Sequence, residues 1–272
     1  MITNTHSVGI VHDAVIEWLV RNGATADWSL PVVAETWDGS LNDINGFHVR
    51  KEHAFAAIDS ARGGPVVEGN VGGGTGMICH RFKGGIGTAS RKLGSGDGGW
   101  TVGVLVQCNY GSRPLLRIAG VPVGKEIPDL LPCRPPCASA PPGSDLGSII
   151  IVVATNAPLL PHQLKRIARR AALGVGKMGG IGSNSSGDIF VAFSTANPHT
   201  AADSGLATVT MFPNERITPL FEATVQATEE AIINALLAAE TMTGVDDLTV
   251  FALPHDRLRA VLRKYNRLAS PP

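Results

Sequence analysis

The chain has 272 residues, enough for one large or two small domains and for a core that hides most of its apolar surface. Its 23 basic and 23 acidic side chains cancel, and no run of like charge stands out, which argues against a nucleic-acid binder and against a polybasic membrane patch. Glycine (32) and proline (18) are abundant, yet 44% of the residues are hydrophobic, so the glycines belong in tight turns between packed elements rather than in a disordered chain.

The opening stretch MITNTHSVGIVHDAV has neither the basic region nor the apolar core of a signal peptide, and no segment is long enough to span a bilayer. The expectation is a soluble, cytoplasmic protein. Residues 12–22 (HDAVIEWLVRN) have helical periodicity, with Val15, Trp18 and Leu19 on one face and Gly23 where a C-cap belongs. Residues 63–92 are so rich in glycine that backbone segments must bend sharply or pack closely there. Strands are predicted over 101–108 (TVGVLVQC) and 115–119. Residues 132–147 form a Pro/Gly/Ser loop with neither period, a mobile and protease-sensitive excursion.

The second half is more regular. Residues 148–154 (SIIIVVA) form a continuous apolar run, and 161–174 a basic-faced helix with Leu164, Ile167, Ala168 and Ala171 inward. Residues 188–193 (DIFVAF) read as a core strand. A long helix over 219–240 sets Ala223, Ala227, Ala231, Ala235 and Ala238 along one side, small enough for close approach to a sheet. A last helix covers 255–265. Strands alternating irregularly with helices favour a layered α/β sandwich.

Most familiar chemistries are absent. The stretch from Gly69 to Gly76 lacks the Lys-Ser/Thr pair of a P-loop, and Gly85-Ile-Gly87-Thr-Ala-Ser90 breaks the dinucleotide pattern at its third glycine. No Gly-x-Ser-x-Gly elbow surrounds Ser185 or Ser186, and the eight histidines show no metal-ligand spacing. Cys79, Cys108, Cys133 and Cys137 follow no zinc pattern and are expected to be unbridged thiols. One arrangement needs neither triad nor metal. If the backbone is cut just before a serine, the new α-amine, with a reference pKa of about 7.7–8.0, can take the proton of that serine's own hydroxyl. Such a site needs a small, flexible approach and a rigid strand behind the nucleophile, and GSNSSGDIFVAFST, residues 182–195, offers both.

Seven motifs in order carry a resemblance: TNTHSVG (3–9), ETWDGSLNDI (35–44), EGNVGGGTGM (68–77), GGIGTASR (84–91), PLLPHQLKRIARRA (158–171), SGDIFVAFST (186–195) and EEAIINALLAAETMTG (229–244). Together they resemble the L-aminopeptidase/D-esterase family, the DmpA-like group that includes β-peptidyl aminopeptidases. The resemblance implies a four-layer αββα sandwich of the DmpA and ornithine-acetyltransferase type, made as one precursor of residues 1–272. The precursor would cut itself between Ser185 and Ser186 into an α subunit (1–185) and a β subunit (186–272). Ser186 would then be both nucleophile and, through its amine, general base.

By the same resemblance Asn109 matches the asparagine that donates to the oxyanion, and Glu35 the carboxylate that holds a substrate's free ammonium. Trp37 stands where family members carry a tyrosine, leaving only an indole N–H as donor. Thr224 and Gln226 fall where a Ser-x-Glu pair supports the nucleophile, and the glutamine removes a charge there. Ser185 replaces the usual Gly or Asn before the cut, and Ser183 is an alternative neighbour. The chain also opens almost directly on TNTHSVG, where the family carries several upstream strands; lost strands would expose sheet edges and apolar surface.

The implied activity is hydrolysis of short peptides, amino-acid amides or esters through an acyl-enzyme on Ser186, without metal or organic cofactor, without nucleic acid or membrane, and in a homo-oligomer, a tetramer of processed units or larger. Two alternatives stay open. One is a non-catalytic, assembly-only relative. The other is acyl transfer of the ornithine-acetyltransferase kind, which normally uses a threonine nucleophile.

Overall fold

The computed structural model describes residues 1–24, 28–137, 147–198, 200 and 205–268. In chain order the first half holds β1 (Ile2–Asn4), α1 (Val8–Arg21), β2 (Ala34–Thr36), α2 (Lys51–Asp59), β3 (Ile78–Cys79), β4 (Phe82–Lys83), β5 (Gly85–Lys92), β6 (Thr101–Asn109) and α3 (Val123–Glu126). The second half holds β7 (Ser148–Thr155), α4 (Pro161–Lys177), β8 (Ile189–Ser194), α5 (Thr218–Ala238), β9 (Met242–Thr243), β10 (Thr249–Val250) and α6 (His255–Lys264).

The centre is a four-stranded sheet in the order β5-β6-β7-β8, antiparallel except for the parallel β7–β8 pair. Side chains alternate across it. Val102, Val104, Val106 and Cys108 of β6 and Ile149, Ile151 and Val153 of β7 point to one face, where they form a single core with α4 and α5. The opposite face meets the parallel pair β1–β2, backed by α1 and α2, which pack on each other through Val11, Ala14 and Ala54. Gln107 joins the two sheets: its Nε2 donates to Thr3 O at 3.2 Å and to Thr36 Oγ1 at 2.6 Å. The four layers are therefore helix, sheet, sheet, helix, the αββα arrangement.

Local chemistry explains why α5 lies so close to the sheet. Ala223, Ala227, Ala231 and Ala235 are buried on it, and β5 meets them with Gly87, where an added Cβ would stand 2.0 Å from Ala231 O. Ala238 is exposed, and Ala239 is buried instead. At the start of α4, Gln163 Oε1 accepts the Leu160 N–H at 3.1 Å while its Nε2 donates to Phe212 O at 2.8 Å. That side chain both caps the helix and ties it to the following loop.

Several expectations change. The glycine-dense stretch includes a full strand, β5, because glycine lowers strand propensity yet is the residue that admits α5. Residues 115–119 are not a strand: Arg113–Leu115 is a 3-10 turn, and only an isolated bridge joins Ile118 to Val121. α1 begins at Val8, four residues ahead of the predicted start. The cysteines are bridged, Cys79 to Cys108 and Cys133 to Cys137, with Cα atoms 5.6 and 5.1 Å apart. The first pair joins β3 to β6 across 29 residues, a proximity that linear spacing does not disclose. Most of the predicted mobile loop, 138–146, lies outside the described residues. Among those described, no helix is long and apolar enough to cross a membrane.

Candidate active site

One end of the central sheet gathers the serine motif. β6 ends on Asn109, which lies opposite Ser148, the first residue of β7. The parallel β7–β8 register carries the row on to Gly187, whose N–H donates to Ser148 Oγ at 2.9 Å. Asp188 fixes the same corner, its Oδ1 accepting the Ile149 N–H at 3.0 Å. Ser186 therefore sits one residue beyond a row that three strands hold in place. Its own N–H closes a turn onto Ser183 O at 2.8 Å. Ser186 is half-buried and Ser185 exposed, so the bond between them faces outward from a rigid base.

Asn109 is 5% exposed and its amide is fixed at both ends. Oδ1 accepts the Ile78 N–H and Nδ2 donates to Trp37 O, each at 2.8 Å. A carboxamide has two N–H donors, so one remains after the bond to Trp37. The Trp37 carbonyl is thus part of the cluster. Its indole is 45% exposed and folds over Gly39, where a Cβ would stand 2.8 Å from the ring. Glu35 lies two residues earlier on β2, half-buried, paired in register with Thr3 and accepting a hydrogen bond from Thr5 Oγ1. Between them Thr36 turns the other way, toward Gln107.

Thr224 and Gln226 are not brought to this cluster. Thr224 is fully buried on α5, the helix that packs on β5, β6 and α4, and its hydroxyl donates to Leu220 O at 2.7 Å. Gln226 is on the outer side of α5, donating to Glu222 at 3.0 Å and accepting from Arg91 at 3.3 Å. Ser148, Asp188 and Ile78 were not singled out from the sequence as site residues. Asp188 lies in the SGDIFVAFST motif, whereas only the fold brings Ser148 and Ile78 to the site, and nothing in their local sequence signals the role.

A cavity of about 610 Å³ flanks β1 and α2, but none of Ser186, Asn109, Glu35 and Trp37 lines it. Its polar wall includes Asp38, a buried carboxylate that accepts from Asn4 and Asn42. Behind the site, Lys83 is fully buried, donating to Gly84 O at 2.7 Å and Gly74 O at 3.2 Å, with no acidic partner among the described residues. Burial alone pushes its pKa down to about 7.

A serine turn leading into a strand of an αββα sandwich, with a buried asparagine across the sheet end, is the framework of an N-terminal-nucleophile hydrolase. The family model for peptidase family S58 matches residues 1–250. The β-peptidyl aminopeptidase BapA of Sphingosinicella microcystinivorans is 57% identical over 99% of this chain and 70% of its own length. BapA of Sphingosinicella xenopeptidilytica is 48% identical over 96% and 67%. Among solved structures, the L-aminopeptidase D-Ala-esterase/amidase of Ochrobactrum anthropi, described as a variant of the Ntn hydrolase fold, superposes with a TM-score of 0.89 at 50% identity, covering 98% of this chain and 74% of that one. The chain belongs to peptidase family S58. It is a hydrolase of the aminopeptidase/esterase type, in agreement with the resemblance carried by its seven motifs.

Proposed function

We propose that the protein cuts its own Ser185–Ser186 bond and then uses Ser186 to release N-terminal residues from short peptides, amino-acid amides or esters. The row Asn109, Ser148, Gly187 carries this reading, because it fixes the start of β8 while leaving the preceding turn outward. In the first step Ser186 Oγ attacks the Ser185 carbonyl carbon, the C–N bond breaks and the acyl group moves to oxygen. Water then hydrolyses the ester, releasing residues 1–185 as a carboxylate and regenerating the Ser186 hydroxyl beside the amine already freed when the C–N bond broke.

In turnover that amine takes the hydroxyl proton as Oγ attacks the substrate carbonyl, and passes it to the leaving amine or alkoxide. The acyl-enzyme is hydrolysed by water activated by the same amine. The second Asn109 N–H is the donor for the oxyanion, and a fixed donor of this kind contributes most of its effect in the transition state. Glu35 holds the substrate ammonium, which orients the scissile bond. Trp37 contributes its carbonyl to Asn109 and its indole to the site wall. Thr224 and Gln226 have packing and surface roles instead of a part in the chemistry.

Two relatives named as β-peptidyl aminopeptidases support an N-terminal β-amino acid as the favoured substrate class. Two disulfides favour an oxidising compartment over the cytoplasm, since thiols stay reduced there. The exposed Ile189 and Phe193 on β8 favour a homo-oligomer of processed units.

The deciding experiment is the intact mass of freshly purified protein under denaturing conditions, beside Ser186→Ala, followed by hydrolysis of β-alanyl and alanyl p-nitroanilides. Two fragments meeting at Ser185–Ser186, one uncut chain in the variant, and turnover only by the cut form are expected. A folded wild type that stays whole and still hydrolyses substrate would overturn the free-amine mechanism.

A further inference from the structure

Away from Ser186, the β3–β4 hairpin turns through His80 and Arg81, with φ of 48° and 65°. Two-residue hairpin turns with positive φ at both positions normally use Asn or Gly; other residues there cost about 1–2 kcal/mol each. Arg113 holds the turn. It is 2% exposed, with its guanidinium 3.2 Å from the centre of the Phe82 ring. Its Nε donates to His80 O at 3.0 Å and its Nη2 to Arg81 O at 2.7 Å. The other donors go to the carbonyls of Ile127, Asp129 and Leu130, so this buried cation is bonded entirely by neutral oxygens.

Beside the turn lies a cavity of about 440 Å³. Three cations line it, Arg81, Arg113 and Lys125, with an apolar wall of Pro114, Pro128 and Leu131. Among the described residues no carboxylate lines it. The nearby acids are engaged elsewhere: Asp129 takes both arms of Arg257 at 2.6 Å, and Glu126 takes Lys264 at 2.8 Å and Tyr265 at 2.7 Å. Among the described residues neither Arg81 nor Lys125 has an acidic partner. Burial lowers the pKa of Arg81, and burial first, with smaller contributions from the charges of Arg81 and Arg257 and against the opposing pull of Asp129, lowers that of Arg113 to about 9.

We propose that this cavity binds a small organic anion, a carboxylate or phosphate on a short apolar body, with Arg81 and Lys125 as its ligating cations and Arg113 as the fixed charge behind them. The volume falls in the range of small-molecule sites, and a forked guanidinium matches either head group. The apolar wall suits the ligand's body. None of Ser186, Asn109, Glu35 and Trp37 lines the cavity, so the site is separate from the hydrolytic one. The hairpin that presents Arg81 also carries Ile78, which holds Asn109, and for that reason the test reads binding and not turnover.

Calorimetric titration of the wild-type protein at constant ionic strength would use hexanoate, hexyl phosphate, inorganic phosphate and hexylamine. One-site binding of hexanoate or hexyl phosphate with Kd below about 1 mM is expected, with hexylamine silent. Whichever head group binds more tightly identifies the source, and inorganic phosphate matching hexyl phosphate would assign the affinity to charge alone. Arg81→Gln and Lys125→Gln should each weaken binding about tenfold; Lys125 is exposed, so its variant tests the site even if Arg81→Gln fails to fold. The proposal falls if neither anion saturates, if hexylamine binds equally, or if both folded variants bind as the wild type does.

Discussion

Asn109 Nδ2 donates to the carbonyl oxygen of Trp37 at 2.8 Å, joining the end of β6 to the residue that follows β2. With Oδ1 held by Ile78, the remaining N–H has a fixed direction, as a donor to a developing oxyanion requires. Asn109→Ala should therefore lower turnover about 100- to 1,000-fold in protein that has already been cut. It should also cost about 1–3 kcal/mol of stability by stranding the Ile78 N–H and the Trp37 carbonyl. Steady-state kinetics and urea denaturation separate the two effects, and unchanged turnover in a folded variant removes Asn109 from the chemistry.

Ser148 acts through Gly187 and is a positioning residue. Ser148→Ala removes the acceptor of the Gly187 N–H and loosens the turn that presents Ser186. Self-cleavage should slow about tenfold, a barrier raised by roughly 1.4 kcal/mol, followed as the uncut fraction by mass over time. Ser148→Thr keeps the hydroxyl and should restore the rate. Equal rates in all three proteins would assign Ser148 to the strand alone.

Lys83 makes stability depend on pH. Its folded pKa is lowered to about 7 from 10.5, so between those values the unfolded chain holds a proton that the folded protein has lost. Stability therefore rises with pH through this window, by at most about 1.4 kcal/mol per unit, and the penalty is full below pH 7. Lys83→Met removes the titrating group, so wild type should gain on the variant in urea melts as pH goes from 7 to 9. Parallel profiles would mean that the buried amine stays charged throughout.

Gly87 and Gly103 sit on neighbouring strands with different surroundings. A Cβ at Gly87 meets Ala231 O at 2.0 Å, whereas one at Gly103 finds its nearest atom, Ala154 O, at 4.0 Å. Gly87→Ala should cost about 3 kcal/mol by forcing α5 off the sheet, while Gly103→Ala should stay within about 0.5 kcal/mol. Comparable denaturation midpoints for the two variants would show that α5 yields without cost.

The elements legible from the sequence were those with a continuous apolar run or an apolar stripe at helical spacing. β6 and β7 read as apolar runs, and α4, α5 and α6 as helical stripes, because burial writes a period of 2 or 3.6 into the chain, whereas the apolar run read as a core strand over 188–193 is the edge strand β8, with no buried residue and with Ile189 and Phe193 exposed. The positions of Ser186 ahead of β8 and of Asn109 at the end of β6 were legible because a serine before a strand and an amide at a strand end are local arrangements. β5 stayed hidden because its function in packing is to lack side chains. Where Thr224 and Gln226 lie was not legible, because distance along a helix does not say which face turns inward; α5 buries Thr224 and leaves Gln226 on its outer side. The sequence by itself determined the family, the layered class and the serine at the head of β8. Only the tertiary structure decided the register that sets Ser148 between Asn109 and Gly187, the pairing of Cys79 with Cys108, and the convergence of Arg81, Arg113 and Lys125 on one cavity. Each of these joins residues far apart in the chain, and such contacts exist only once the layers have packed.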